Sequence, residues 1–284
     1  MLKILNCNLK EYNSYKVEAF CRVAYFIDSE EDIKNIFNVE KDVVIIGSGH
    51  NIILSKKYYD SAFIIMAKEF SKITELSGDR LHVQAGVFTK DLAEYALKKS
   101  LSGVEVFYDI PSSIGGAVVM NAGASGEEIC NLVELVTCYN VDKGEFIEFD
   151  NKQSQFSYRN SFFQQNKNLI VLSAVLCLSK GIEEEISKKM SDIKELRHSK
   201  QPKDFPNAGS VFKRPEGRFV GPMLDELELK GYTIGGAQVS KKHSGFIVNI
   251  GDAEGKDILN LISYIQKLVY EKFEVILEVE QRII

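Results

Sequence analysis

A clustered basic surface is missing from this 284-residue sequence: 35 Lys and Arg stand against 40 Asp and Glu, for a formal net charge of -5. Without one there is no electrostatic footprint for a phosphate backbone, so nucleic acid is excluded as an expected partner. A membrane span is missing as well. The longest apolar stretch, between Asn168 and Leu178, is interrupted by Ser173 and falls far short of the roughly 20 residues that cross a bilayer. The first residues include Lys3, Asn6, Asn8, Lys10 and Glu11, with neither the apolar core nor the small-residue cleavage site of a secretory leader, so a cytoplasmic protein is expected.

Metal chemistry has little to work with. The five cysteines, Cys7, Cys21, Cys130, Cys138 and Cys177, include no C-x-x-C pair, and most sit among Val, Leu and Tyr as reduced, buried thiols do. The four histidines, His50, His82, His198 and His243, are scattered without the spacing that lets one element present two ligands, so no metal is expected. Internal repeats and low-complexity tracts are also lacking, and no obligate protein partner is signalled.

What is present is the balance of an ordinary globular chain, 45% hydrophobic and 26% charged, which leaves no room for a disordered reading. The length favours two domains, or one core with a satellite. Asp42 to Ile46 is an apolar run ending at Gly47, the pattern of a buried strand entering a glycine turn. Ser29-Glu30-Glu31-Asp32 followed by Ile33, Ile36 and Phe37 reads as a capped amphipathic helix. Thr89 opens a second helix through Leu92, Ala96 and Leu97, with short strands at Ala62 to Ile65 and Leu81 to Ala85. A polar helix over Glu183 to His198 is expected as an exposed connector, which puts a domain boundary near Lys180. Pro222 is expected to open a short helix closed by Gly231. A helix from Glu254 to Phe273 and a final strand from Val275 to Ile284 complete an α+β chain.

Several segments can carry chemistry. Gly47-Ser48-Gly49-His50-Asn51 follows a strand, and its glycines would free backbone N–H groups for phosphate oxygens, although it is neither a dinucleotide fingerprint nor a P-loop. Plain strand-ending geometry is the alternative. Pro111-Ser112-Ser113-Ile114-Gly115-Gly116-Ala117, leading to Asn121-Ala122-Gly123-Ala124, has small residues dense enough to press against a flat ring or a phosphate, or else to pack a helix tightly on a strand. Arg159, in Phe156-Ser157-Tyr158-Arg159-Asn160-Ser161, offers a fixed fork for a carboxylate or phosphate, with a surface ion pair as the bland reading. Ser210, in Pro206-Asn207-Ala208-Gly209-Ser210-Val211-Phe212-Lys213-Arg214-Pro215, lacks the flanks of a hydrolase nucleophile elbow; it can donate a proton or cap a turn. Ile234 to Phe246 contains Gln238 and His243, and in Leu277-Glu278-Val279-Glu280-Gln281-Arg282 strand alternation puts Glu278, Glu280 and Arg282 on one face.

In order and spacing these segments resemble the UDP-N-acetylenolpyruvoylglucosamine reductases, from about Val43 to Ile284, most specifically at Asn207 to Pro215, Gly235 to Asn249 and the closing Leu-Glu-x-Glu-x-Arg. The resemblance implies an FAD-binding half of the vanillyl-alcohol oxidase/PCMH type over residues 1–180, in two α+β subdomains of about 1–66 and 67–180. A smaller α+β substrate domain over 181–284 follows. It implies non-covalent FAD, NADPH as hydride donor and a nucleotide-sugar substrate. Arg159, Ser210 and Glu280 fall on the family's catalytic positions. Gly47, Ser48, Gly49, His50, Asn51, Pro111, Ser112, Ser113, Ile114, Gly115, Gly116 and Gly123 fall in the cofactor loops. Lys200, matched to a lysine associated with the substrate's diphosphate, is expected on the substrate together with Asn207, Lys213, Gln238, His243 and Arg282. No long insertion follows Phe162, as in the family's compact form. The sequence departs from the family at Glu18-Ala19, where two glycines are usual, at His50, where serine or threonine is, and at Ser112 and Glu228, where glycine is. Two readings compete: an oxidase or dehydrogenase of the same flavin fold, and a non-catalytic nucleotide-sugar binder.

Overall fold

The computed structural model describes residues 1–66 and 70–284; the expected start of a second subdomain at residue 67 lies outside them. Packing divides the chain into two compact units that are not contiguous in sequence. One comprises Met1–Ile4, Val23–Ser48 and Ser61–Arg197, the other Leu5–Arg22, Gly49–Asp60 and His198–Ile284.

The first unit contains an antiparallel sheet and the larger share of a second, four-stranded one, whose residues 5–8, 20–22 and 58–60 are counted with the other unit. The four-stranded sheet has the strand order Leu2–Asn8, Phe20–Phe26, Tyr58–Ile65, Val43–Ile46, and its last pair is parallel, with Val43 opposite Ala62 and Ile46 opposite Ile65. Helix α1, Glu30–Val39, starts as expected with a capping box: Ser29 and Asp32 exchange side-chain and backbone hydrogen bonds at 3.3 Å each. It buries Ile33 and Ile36 with Val23, Tyr25, Ala62 and Ile64. Each such side chain contributes roughly 1.5–3 kcal/mol by leaving water.

The other sheet is antiparallel, in the order Glu145–Asp150, Val133–Asn140, Leu169–Cys177, Arg80–Gln84, Ile73–Leu76. Around it lie α2, Thr89–Lys98, α3, Ile114–Met120, and α4, Phe162–Gln165. The polar helix runs two residues further than its sequence pattern, as α5, Glu183–Lys200. It is more than an exposed connector, since Ile186 and Met190 are buried in the same core as Leu92, Val118 and Leu176.

In the second unit, α6 spans Val220–Glu226, so Pro222 is its third residue and Gly231 does not close it. The turn after it is made at Glu228, whose φ is +55° and whose N–H donates to the Asp225 carbonyl at 3.0 Å. This is the left-handed region that glycine enters without steric cost, a physical reason for the glycine usual there. Helix α7, Gly255–Phe273, buries Ile258, Leu261, Ile262, Ile265 and Val269. They pack with Ala237, Val239 and Ile247 of the three-stranded sheet Thr233–Ile234, Ala237–Val239, Ile247–Asn249.

The closing segment is not a continuous strand over Val275–Ile284. Only Arg282–Ile283 pairs regularly, in parallel with Ile52–Ile53, and Val279 makes an isolated bridge to Phe212. The alternation survives: Leu277 and Gln281 are buried while Glu278 and Arg282 are exposed, because the segment stays extended where its partners are irregular.

Candidate active site

The cofactor-loop candidates of the first unit come together through the absence of side chains. A Cβ on Gly47 would lie 2.3 Å from the Ser113 hydroxyl, and one on Gly115 would lie 2.8 Å from the Ala85 Cβ. The glycine of the strand-ending turn thus faces the start of α3, and Gly115 lets that helix sit tightly on the chain after Gln84, which is the packing alternative for this position. Ser113 is fully buried and is the residue before α3, yet its Oγ makes no hydrogen bond among the described residues. An orphaned buried hydroxyl between two glycines fits a phosphate oxygen, which would restore the bond that burial removed. Ser112 and Gly116 lie near it in sequence and Ser48 follows Gly47, and a Cβ on Gly116 would stand 3.4 Å from both the Ser112 and Ser113 hydroxyls.

Thr89 holds this loop from behind, a role its sequence did not announce. Its N–H donates to the Ser112 carbonyl at 3.0 Å and its buried hydroxyl donates to the carbonyls of Ile110 and Ser112. Just upstream of Pro111, Asp109 accepts from Arg197 Nε at 3.0 Å in a largely buried ion pair.

In the second unit, Gly49 has φ +73°, and a Cβ there would meet the Tyr12 carbonyl oxygen at 2.1 Å, so only glycine allows the 9–17 loop to close on this turn. The Ser14 N–H donates to the Gly49 carbonyl at 3.0 Å. His50 is half-buried, and Asn51 Nδ2 donates to the Glu280 carbonyl at 3.2 Å.

Arg159 stands at the third position of a tight turn in which Ser157 and Asn160 exchange backbone hydrogen bonds at 3.0 and 3.1 Å. Its φ is +51°, a conformation that costs a side-chain-bearing residue of order 1 kcal/mol or more. Its guanidinium donates to the carbonyls of Gly123 at 2.6 Å and Asn121 at 3.2 Å, and pairs with Glu128 at 3.6 Å. Gly123, expected on the cofactor, here lies in a hairpin with Glu128 and supplies one of those carbonyls. Asn121 is itself buried, at the left-handed end of α3, and donates to Glu128 and the Ser157 carbonyl. Glu128 passed unnoticed in the sequence because nothing local distinguishes it from a solvated acid.

The segments that carry Ser210 and Glu280 run next to each other within the second unit. The segment from Ser210 to Lys213 runs between two others. Ser210 bridges Phe246 and the Val211 N–H donates to Gly245, while the Glu280 N–H donates to Val211 at 2.8 Å and the Lys213 N–H to Glu278 at 2.9 Å. Ser210 is exposed and Glu280 half-buried.

The substrate-contact candidates have varied settings. Lys213 pairs with Glu278 at 2.6 Å, Gln238 donates to Thr233 at 2.9 Å, and Lys200 is exposed at the end of α5. Asn207 braces its own loop, donating to the Pro202 and Phe205 carbonyls and accepting from the Gly209 N–H. The Arg282 N–H donates to the Asn51 carbonyl at 2.9 Å, and its side chain is exposed. Burial lowers the pKa of His243, and its Nδ1 accepts from the Gly245 N–H at 3.1 Å.

Residues 22–150 match the FAD binding domain model, so the fold and the glycine-lined turns define a flavoprotein whose cofactor part precedes a second α+β part. Residues 201–284 match the C-terminal domain model of UDP-N-acetylenolpyruvoylglucosamine reductase. The enzyme of that name from Francisella tularensis subsp. tularensis is 40% identical over 279 residues, 98% of each chain, and the one from Caldanaerobacter subterraneus subsp. tengcongensis is 39% identical over 99% of this chain and 93% of its own. The crystal structure of the reductase from Thermus caldophilus superposes with a TM-score of 0.84 at 31% identity, covering 99% of this chain and 98% of that one. The chain belongs to the UDP-N-acetylenolpyruvoylglucosamine reductase family.

Proposed function

We propose that this protein reduces UDP-N-acetyl-3-O-(1-carboxyvinyl)glucosamine to UDP-N-acetylmuramate with NADPH, using non-covalently held FAD, as a step of peptidoglycan precursor synthesis. The observation that carries the reading is that the segments bearing Ser210 and Glu280 are neighbours, joined by the hydrogen bond from the Glu280 N–H to the Val211 carbonyl, in a chain of this family. In this reading residues 1–180 bind the cofactor and 181–284 the substrate, which the matches over 22–150 and 201–284 support, while the 5–22 and 49–60 segments pack into the second unit. No described helix is long and apolar enough to cross a membrane. NADPH and nucleotide sugars are cytoplasmic metabolites, which supports a cytoplasmic site of action.

The chemistry that bound FAD supplies is hydride transfer, taken from NADPH and then given to the terminal carbon of the enolpyruvyl group. The residues of the chain do the rest. Gly47, Ser48, Gly49, His50, Asn51 and the Pro111–Gly116 loop would hold the cofactor, and the Ser113 hydroxyl would be a donor for one of its phosphate oxygens. Lys200, Asn207, Lys213, Gln238, His243 and Arg282 serve the nucleotide sugar. As charge develops on the substrate's carboxylate and α-carbon, the Arg159 fork holds the carboxylate, and Glu280 in its protonated form donates to the same oxygens. Ser210 delivers a proton to the α-carbon, where a carbanion-like acceptor supplies the driving force a hydroxyl lacks in water.

The purified protein should be yellow and should oxidise NADPH only when the enolpyruvyl nucleotide is added. Acid precipitation should release all the flavin into the supernatant. A colourless protein would favour a binding function. Flavin left on the precipitate, and lost in His50→Ser, would favour an oxidase.

A further inference from the structure

The side chain that follows Glu280 links it to Ser210. Gln281 is 3% exposed, and its amide nitrogen approaches three consecutive carbonyls, of Ala208 at 3.0 Å, Gly209 at 3.3 Å and Ser210 at 3.4 Å. Its amide oxygen accepts from the Tyr15 hydroxyl at 3.0 Å. Tyr15 is 1% exposed, and burial pushes its pKa upward, so the phenol is a fixed donor at any working pH. Its own backbone is anchored: Asn249 Nδ2 donates to the Tyr15 carbonyl at 2.8 Å, and the Asn249 N–H donates to Pro206 at 2.8 Å. A closed chain of hydrogen bonds therefore runs from the 9–17 loop through Gln281 to the loop carrying Ser210.

Stability alone does not account for this arrangement. A buried amide and phenol gain little net over apolar side chains of the same shape, because both had partners in water. What they gain is direction, since a fully satisfied buried network has one geometry. The backbone of this loop is also tied by the Asn207 side chain and by the bridge from Ser210 to Phe246, and Gln281 adds a buried side-chain anchor from the segment that carries Glu280. Gly209 has φ +80° with no neighbour within 4 Å of where a Cβ would be, and Ser210 is exposed. Resting on the reading of Ser210 and Glu280 given above, we infer that Gln281 and Tyr15 are positioning residues that fix the Ser210 hydroxyl relative to the Glu280 carboxyl.

Gln281→Leu should leave the reduction of the flavin by NADPH within twofold of wild type. The step from reduced flavin to substrate should slow 10- to 100-fold with KM nearly unchanged, and its solvent isotope effect should rise as proton delivery becomes limiting. Tyr15→Phe, which loses only the hydroxyl, should slow that step roughly 3- to 10-fold, and the double variant should be no slower than Gln281→Leu. Deuterium exchange at the Gly209 and Ser210 amides of the FAD-bound protein should quicken in both single variants. Unchanged exchange, equal loss in both half-reactions, or additive effects of the two substitutions would overturn the inference. Should the wild type fail to use the enolpyruvyl nucleotide, the functional reading falls, and the exchange measurement still decides whether the brace exists. Should Gln281→Leu fail to fold, Tyr15→Phe carries the same test.

Discussion

Arg159 and Ser210 reach their settings by opposite means. Arg159 sits in a backbone conformation that disfavours it, φ +51°, and its side chain is gripped by the carbonyls of Asn121 and Gly123 and by Glu128. Ser210 lies outside the left-handed region and bridges antiparallel to Phe246, in a segment held between two neighbours, and it is exposed. The difference follows from the tasks. A charged fork recognises a carboxylate only if its plane is fixed, so the side chain is tied and the backbone bears the strain. A hydroxyl that must give up a proton is better left with few competing acceptors, so the backbone is tied instead.

The largest effect tests the Ser210 side of this contrast. Ser210→Ala should leave flavin reduction by NADPH nearly intact while slowing substrate reduction about 10²- to 10⁴-fold, the usual range for a lost proton donor. Rapid mixing separates the half-reactions, and equal slowing of both would make Ser210 structural. Glu280 shares the ladder but is proposed to act by hydrogen bonding. Glu280→Asp, which retracts the group, should cost on the order of 10²- to 10³-fold in turnover, and Glu280→Gln, which keeps a donor, should cost less. The reverse ranking would assign Glu280 the proton transfer.

On the other side, Arg159→Lys keeps the charge and loses the fork. A lysine cannot span both carbonyls, so we expect a loss of about 10- to 100-fold in kcat/KM for the enolpyruvyl nucleotide. Flavin reduction should not change. Full activity in this variant would mean that the side-chain grip is incidental. The smallest effect isolates backbone strain where no chemistry is at stake. Glu228, at φ +55° and exposed, should gain about 1 kcal/mol on replacement by glycine, after the entropy that glycine forfeits. Thermal unfolding should shift up by roughly 2–4 °C with unchanged turnover. A loss of stability would show that left-handed φ is not what costs energy at such positions, and would remove the strain from the account of Arg159 as well.

Much of this was legible from residue order alone, because the signals are local. The capping box at Ser29, the strand ending at Gly47, the amphipathic stripe of α7 and the alternation from Leu277 to Arg282 each depend on a few adjacent residues and a fixed period. The resemblance picked out Arg159, Ser210 and Glu280 because the motifs around them are contiguous. Where the pattern misled, a neighbour in space had overruled it: the closing strand shortened to Arg282–Ile283 because few regular partners face it, and α6 turned at Glu228 rather than Gly231.

Tertiary structure alone decided the rest. The division into units could not be read along the chain, since residues 5–22 and 49–60 pack with the distant segment from His198 onward. Thr89, Glu128 and Gln281 look like surface polar residues in sequence. Each becomes a support only when folding sets it against carbonyls or charges 23, 31 and 73 positions away, those of Ser112, Arg159 and Ala208. A one-dimensional pattern records which face of an element a residue occupies, whereas a hydrogen bond between elements depends on the distance that packing leaves between them.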